Sequence, residues 1–232
     1  MTNANETNDV KRGHYDQIVS IGGVPASAIL ARFKACLPEG HCDFDKHSRG
    51  SALNVDLYGY DAEQNVAVVQ VREFSRAYKR GYPDIRKTYA VVGFGEHGEA
   101  FRHPVSAAAV RAAIRKDSGA ASAVHGAQRW MWGCTEKQRV SGVRQGDLLM
   151  VRERGVPAPE HMIEGRIATV AGSHVVRAYG LAMVDGVLWA LSPSLYHAKN
   201  QHAPAYVAEE GWYSVRVGQE AAAWSFAERV RT

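Results

Sequence analysis

His197 and His202 bracket a short polar stretch, His-Ala-Lys-Asn-Gln-His, and His174 stands upstream at the start of an apolar run, HVVRAYGLAMV. A spacing of five does not put two side chains on one helical face, so a shared site needs a loop that folds His202 back toward His197. Three neutral imidazoles gathered in this way form a ligand set for zinc with one open position, where a bound water has its pKa lowered to about 7. Without a metal, one imidazole would serve as general base, because its proton affinity lies close to neutrality. His174, His197 and His202 are therefore the candidate catalytic residues. No compact ligand motif such as H-E-x-x-H accompanies them, and the competing reading makes Tyr196 to Pro204 the polar tip of a hairpin.

The second candidate chemistry is electrostatic. Residues 71 to 90, VREFSRAYKRGYPDIRKTYA, hold six Lys/Arg against Glu73 and Asp84, an excess of four that equals the net charge of the whole chain. Arg72, Arg76, Lys79, Arg80, Arg86 and Lys87 would neutralise phosphates, and the rings of Tyr78 and Tyr82 would give unpaired bases a surface to stack on. The bland alternative is a solvated face that keeps the protein soluble. Arg111 and Arg115, four apart on an alanine-rich helix, extend the basic run.

Three further patterns fail at a decisive position. CLPEGHCDFDKH gathers Cys36, His41, Cys42, Asp43, Asp45 and His47 but has no C-x-x-C pair, and Cys36 falls in phase with an apolar helix face. GFGEHG at residues 93 to 98 matches the dinucleotide glycine pattern, yet Pro104 follows before a helix can start, so a hairpin turn is expected. Asp56 and Glu73 flank a hairpin as acids do in split-carboxylate nucleases. The second strand there needs an acid, a spacer and a lysine, and this chain has Gln70-Val71-Arg72. No family is recognised from these residues.

The elements that must position these groups follow from periodicity. Ile29, Leu30, Phe33 and Leu37 recur at helical spacing after Gly22-Gly23 and Pro25, and Pro38 and Gly40 stop the helix. From Ala52 the period changes to two, and Val66 to Val71, Thr88 to Phe94 and Ala100 to His103 read as further strands of an antiparallel sheet. SAAAVRAAIRK and AASAVHGAQRWMW read as helices separated by Asp117-Ser118-Gly119, and Thr135 to Gln138 fits a capping box. Beyond Val143 come short strands with frequent glycine, an Asp185-Gly186 hairpin signal and a closing helix, AAAWSFAERV.

The fold class expected is α+β: an N-terminal helix on an antiparallel sheet, a helical middle segment and a β-rich C-terminal half. Residues 1–13 are read as a disordered tail, 14–104 as an α+β domain, 105–142 as a helical junction and 143–232 as a β-rich domain. At 232 residues, 46% hydrophobic and 22% charged, the chain buries a core without staples and is not a low-complexity sequence. No apolar run approaches the roughly 18 residues that cross a bilayer, so no membrane partner is expected. Three cysteines form no even disulfide framework, which points to the cytoplasm. The function expected is a non-catalytic nucleic-acid-binding module, for DNA or RNA, within a larger assembly that would supply a protein partner. A small histidine-based hydrolase or nuclease is the alternative, with zinc as the one cofactor considered, and a structural or inhibitory protein acting by surface contact is the third.

Overall fold

In the computed structural model, residues 9–37, 52–75, 84–95, 98–199 and 202–220 are described. They divide into two compact units: residues up to 94 with 100–127 and 220–232, and residues 95–99 with 128–219. The division falls inside the segment that the sequence reading sets apart as a helical junction.

The first unit begins with β1 (Val10–Arg12), β2 (Ile18–Ile21) and β3 (Val24–Pro25), which form a three-stranded sheet. Residues 10–12, placed in the tail by their low apolar content, are thus a strand. Its Arg12 donates to the carbonyl oxygens of Asp16, Tyr58, Ser118 and Gly119, which supplies the tie that composition does not reveal. The helix expected up to Leu37 is α1 (Ala26–Arg32) followed by a single 3-10 turn at Lys34–Cys36. Ile29, Phe33 and Cys36 are buried in one core with Leu57, Val69, Val71, Ala90 and Val92, and the Cys36 thiol donates to the Gly93 carbonyl at 3.0 Å.

Strands β4 (Ala52–Asp61), β5 (Val66–Ser75), β6 (Asp84–Phe94) and β7 (Ala100–Val105) form a four-stranded antiparallel meander. The glycine-rich stretch 93–98 connects β6 to β7 with Phe94 opposite Ala100, as its hairpin reading requires. Two helices follow, α2 (Ala107–Lys116) and α3 (Ser122–Trp132). Ser106 caps α2 by accepting the Ala109 N–H, and helical spacing buries Val110, Ala113 and Ile114.

A Cβ at Gly126 would stand 2.3 Å from the Ala113 Cβ and 3.3 Å from the Ala109 carbonyl oxygen, so α3 meets α2 through a hydrogen atom. Helix propensity alone predicts that Gly126→Ala adds up to about 1 kcal/mol of stability. The contact reverses the sign, and urea unfolding should show a loss of about 1–3 kcal/mol from forced displacement of the two helices.

The second unit contains α4 (Glu136–Ser141), capped by the expected Thr135 and Gln138 pair, and then, apart from one 3-10 turn at Pro159–His161, short strands. These are β8 (Val143–Gln145), β9 (Leu148–Arg152), β10 (Met162–Ile163), β11 (Ile167–Val170), β12 (His174–Arg177), β13 (Leu181–Val184), β14 (Val187–Leu191), β15 (Ser194–His197), β16 (Ala205–Tyr206) and β17 (Trp212–Val217). They form a six-stranded sheet in the order β10-β13-β14-β17-β9-β8 and a four-stranded sheet in the order β11-β12-β15-β16, all pairs antiparallel. Leu148, Met150, Leu188, Ala190 and Val215 of the first sheet and Val176 and Leu195 of the second share one core. Asp185 and Gly186, both at positive φ, make the two-residue turn between β13 and β14. The expected C-terminal helix lies outside the described residues. Among the described residues, no helix is long and apolar enough to cross a membrane.

Candidate metal centre

Antiparallel pairing of β12 with β15 sets His174 directly opposite His197, with Val176 opposite Leu195. Side chains alternate across a strand, so the register that turns Val176 and Leu195 into the core turns the two imidazoles to the same face. His174 is 3% and His197 6% exposed. The ladder continues one residue further, the Ala198 N–H donating to the Ser173 carbonyl at 2.7 Å. His202 comes from the connection between β15 and β16. Its ring lies nearly parallel to that of His174 at 5.9 Å between centroids and edge-on to that of His197 at 5.1 Å, while the His174 and His197 rings meet edge-on at 4.9 Å. One ligating nitrogen from each ring falls within 4.8 Å of the other two.

Four residues that the sequence reading did not single out shape this site. Gly146 occupies the two-residue turn between β8 and β9 with φ +57. A Cβ there would lie 2.8 Å from His202 Nε2 and 3.4 Å from His174 Nε2, so both nitrogens face the space that a side chain at 146 would fill. Asp147 follows, its backbone oxygen pinned by the Trp132 indole N–H at 2.9 Å and the Gly218 N–H at 2.8 Å, its carboxylate 3.8 Å from His174 Nε2. Gln145 precedes, 1% exposed, and its side-chain amide donates to the Ala203 carbonyl at 2.6 Å and to the Leu195 carbonyl at 3.4 Å. Glu99 stands 3.9 Å from His202 Nδ1, on the opposite side of the ring from Nε2. A carboxylate behind a ligating imidazole is the usual outer partner of a metal-bound histidine, since it holds the proton on the rear nitrogen and leaves the front lone pair free.

The surroundings of these rings favour their neutral form. Burial, then the neighbouring His197 and His202, push the His174 pKa below the ordinary imidazole value, against the opposing pull of Asp147. Burial, His202 and Lys199 do the same to His197. Both are neutral near pH 7, the form that ligates. His174 Nε2 is fully buried with no hydrogen-bond partner among the described residues, an arrangement that costs about 1–3 kcal/mol unless something occupies it. His197 Nδ1 accepts the Lys199 backbone N–H at 3.3 Å. Ligation through Nδ1 displaces that donor, and ligation through Nε2 puts a proton on Nδ1, so the start of the 198–204 connection must shift in either case.

The donor set fits zinc. Tetrahedral bonds of about 2.0–2.1 Å would need nitrogens roughly 3.4 Å apart, so binding would require ring rotations and a loop movement that close the cluster from 4.8 Å. The three histidines leave a fourth position, and Asp147, with its side chain 39% exposed, flanks the nitrogen nearest to it.

The basic segment is placed differently. Arg76, Tyr78, Lys79, Arg80 and Tyr82 lie outside the described residues. Arg72 is bound to Asp56, with Nε 2.7 Å from Oδ2 and Nη2 3.0 Å from Oδ1. This diagonal cross-strand pair puts an arginine where a split-carboxylate nuclease would carry its lysine, with Gln70 rather than an acid opposite Asp56, and it consumes the charge of one predicted phosphate contact. Lys87 lies opposite Arg72 on β6 and is exposed, and Arg86 is opposite Glu73. Of the Cys36 to His47 loop, only Cys36 and Leu37 are described, and Cys36 is a core residue. No family model, curated protein or solved structure matches this chain.

Proposed function

We propose that the second unit holds a zinc ion on His174, His197 and His202 and that the open position beside Asp147 serves hydrolysis. What carries the reading is the convergence of three imidazole nitrogens within 4.8 Å around a buried, unpartnered His174 Nε2. Bound zinc supplies Lewis acidity and lowers the pKa of water in its fourth position to about 7. The chain's own residues do the rest. β12 and β15 fix two ligands through their register, the Gln145 amide holds the carbonyl next to His202, and Glu99 places a negative charge 3.9 Å from the rear nitrogen of His202. Asp147 Oδ1 is the acceptor placed to take a proton from the attacking water and hand it to a leaving group.

The test is metal content. Protein purified without chelator and analysed for elements should carry close to one zinc per chain. Stripping with a chelator should lower the thermal midpoint, and one equivalent of zinc should restore it, because a ligand that binds only the folded state stabilises it in proportion to its affinity. Protein free of zinc that gains neither zinc nor stability on titration would remove this reading.

A second proposal, nucleic-acid binding, draws its support from the charge of residues 71–90 and from the exposed Lys87 on β6. It expects a mobility shift with DNA or RNA that weakens steeply between low and moderate salt. A shift insensitive to salt would exclude phosphate contacts. In either reading the protein acts in the cytoplasm.

A further inference from the structure

The strands that turn two histidines inward present a different chemistry on their other face. Along β12 and β15, the residues alternating with His174, Val176, Leu195 and His197 include Arg177, Ser194 and Tyr196. With Arg166, Tyr179, Ser192 and Tyr206, the outward Arg177 and Ser194 line an open cleft of about 470 Å³. Small-molecule sites occupy about 300–1,000 Å³.

The lining is specific in kind. Tyr179 is 72% and Tyr206 61% exposed, so two aromatic rings stand in one concavity with most of their surface uncovered. The Arg177 guanidinium lies 4.9 Å above the Tyr196 ring, which orients it in advance of any ligand. Neither Arg166 nor Arg177 has an ion pair among the described residues. Of the two acids in the lining, Glu209 is engaged by Arg152. Ser192 adopts φ +47, a conformation costly for a residue with a side chain, and is locked there because its N–H donates to the Gly211 carbonyl at 2.8 Å while its hydroxyl accepts the Gly211 N–H at 3.2 Å. Strain of this kind is retained where a wall must keep its shape.

We propose that this cleft binds a small anion of the nucleoside monophosphate class, its phosphate met by Arg166 and Arg177 and its planar base laid against Tyr179 and Tyr206. Two guanidiniums supply planar, paired donors for phosphate oxygens, and tyrosine faces accept any base by stacking. A monomer is favoured over a strand because the cleft has the volume of one small ligand.

The experiment is calorimetric titration of the chelator-treated full chain with AMP, adenosine and inorganic phosphate. AMP should saturate one site and bind at least about tenfold tighter than either fragment, the worth of one good charged hydrogen bond. Arg177→Ala should weaken AMP about tenfold, and Tyr206→Ala should weaken AMP while leaving phosphate unchanged. His197→Ala should leave AMP binding intact, since that imidazole faces the other side of the sheet, so failure of the zinc reading and failure of this one are separable. AMP binding no tighter than adenosine, or equal in wild type and Arg177→Ala, would overturn the proposal. Binding of an oligonucleotide at the same residues with no AMP binding would overturn it too, in favour of a polymer.

Discussion

Gly146→Ala is expected to lower zinc affinity about a hundredfold or more, read by competition with a chromophoric chelator. The new methyl would sit 2.8 Å from His202 Nε2 and 3.4 Å from His174 Nε2, inside the space where the ligand nitrogens converge. The nearest atoms to it belong to those two rings, and moving either ring aside would take a lone pair off a bound ion. Misplaced or weakened metal ligands cost about 10- to 100-fold even when the fault is in an outer partner, and here it is in the ligands themselves. A backbone at φ +57 adds a penalty of about 1–2 kcal/mol to the folded state for any residue with a Cβ. Gly186→Ala separates the two effects. Gly186 also has positive φ, +76, but open space where its Cβ would be, so it should cost comparable stability and leave zinc affinity unchanged. Equal zinc affinity in wild type and Gly146→Ala would mean that the imidazoles do not close over residue 146.

The contrast between what sequence reveals and what it hides is clearest at this turn. Asp185-Gly186 announces its hairpin through a residue pair tied to one turn type, and Thr135 with Gln138 announces a helix start through side chains that bond the local backbone. Both signals are local, and both were legible. The three histidines could be named as candidates, but His174 and His197 are neighbours only because Val176 and Leu195 must both face the core, a fact of register that no linear spacing contains. Gly146 and Asp147 had a signal available, since they precede the apolar run Leu148 to Val151 as a two-residue turn with glycine first. Gln145 and Glu99 had none. A polar residue at a strand end reads as exposed until the carbonyls it serves are known, and Glu99 sits in a loop whose path is set by β6 and β7 rather than by its own residues. The same blindness to diagonal neighbours hid the pairing of Arg72 with Asp56, although both strands of that hairpin were correctly read.

Gln145→Leu is the second change with a large expected effect, and its value lies in being measured twice. Gln145 is fully buried on β8, and its amide spans two carbonyls: that of Leu195, on the strand that carries His197, and that of Ala203, next to His202. Leucine of similar volume leaves the cavity filled but supplies no donor, so the Ala203 carbonyl, next to His202, loses the bond that holds it. Zinc affinity should fall about 10- to 100-fold, the range for lost outer-partner support. If Gln145 acts by placing His202, the same substitution in a His202→Ala background should change affinity less than about twofold, because the group it positions is already gone. Loosening of the whole unit would instead subtract a similar amount in both backgrounds. A loss in His202→Ala as large as in wild type would therefore reassign Gln145 from positioning a ligand to supporting the core, and would leave the three-histidine centre itself to be judged by its metal content.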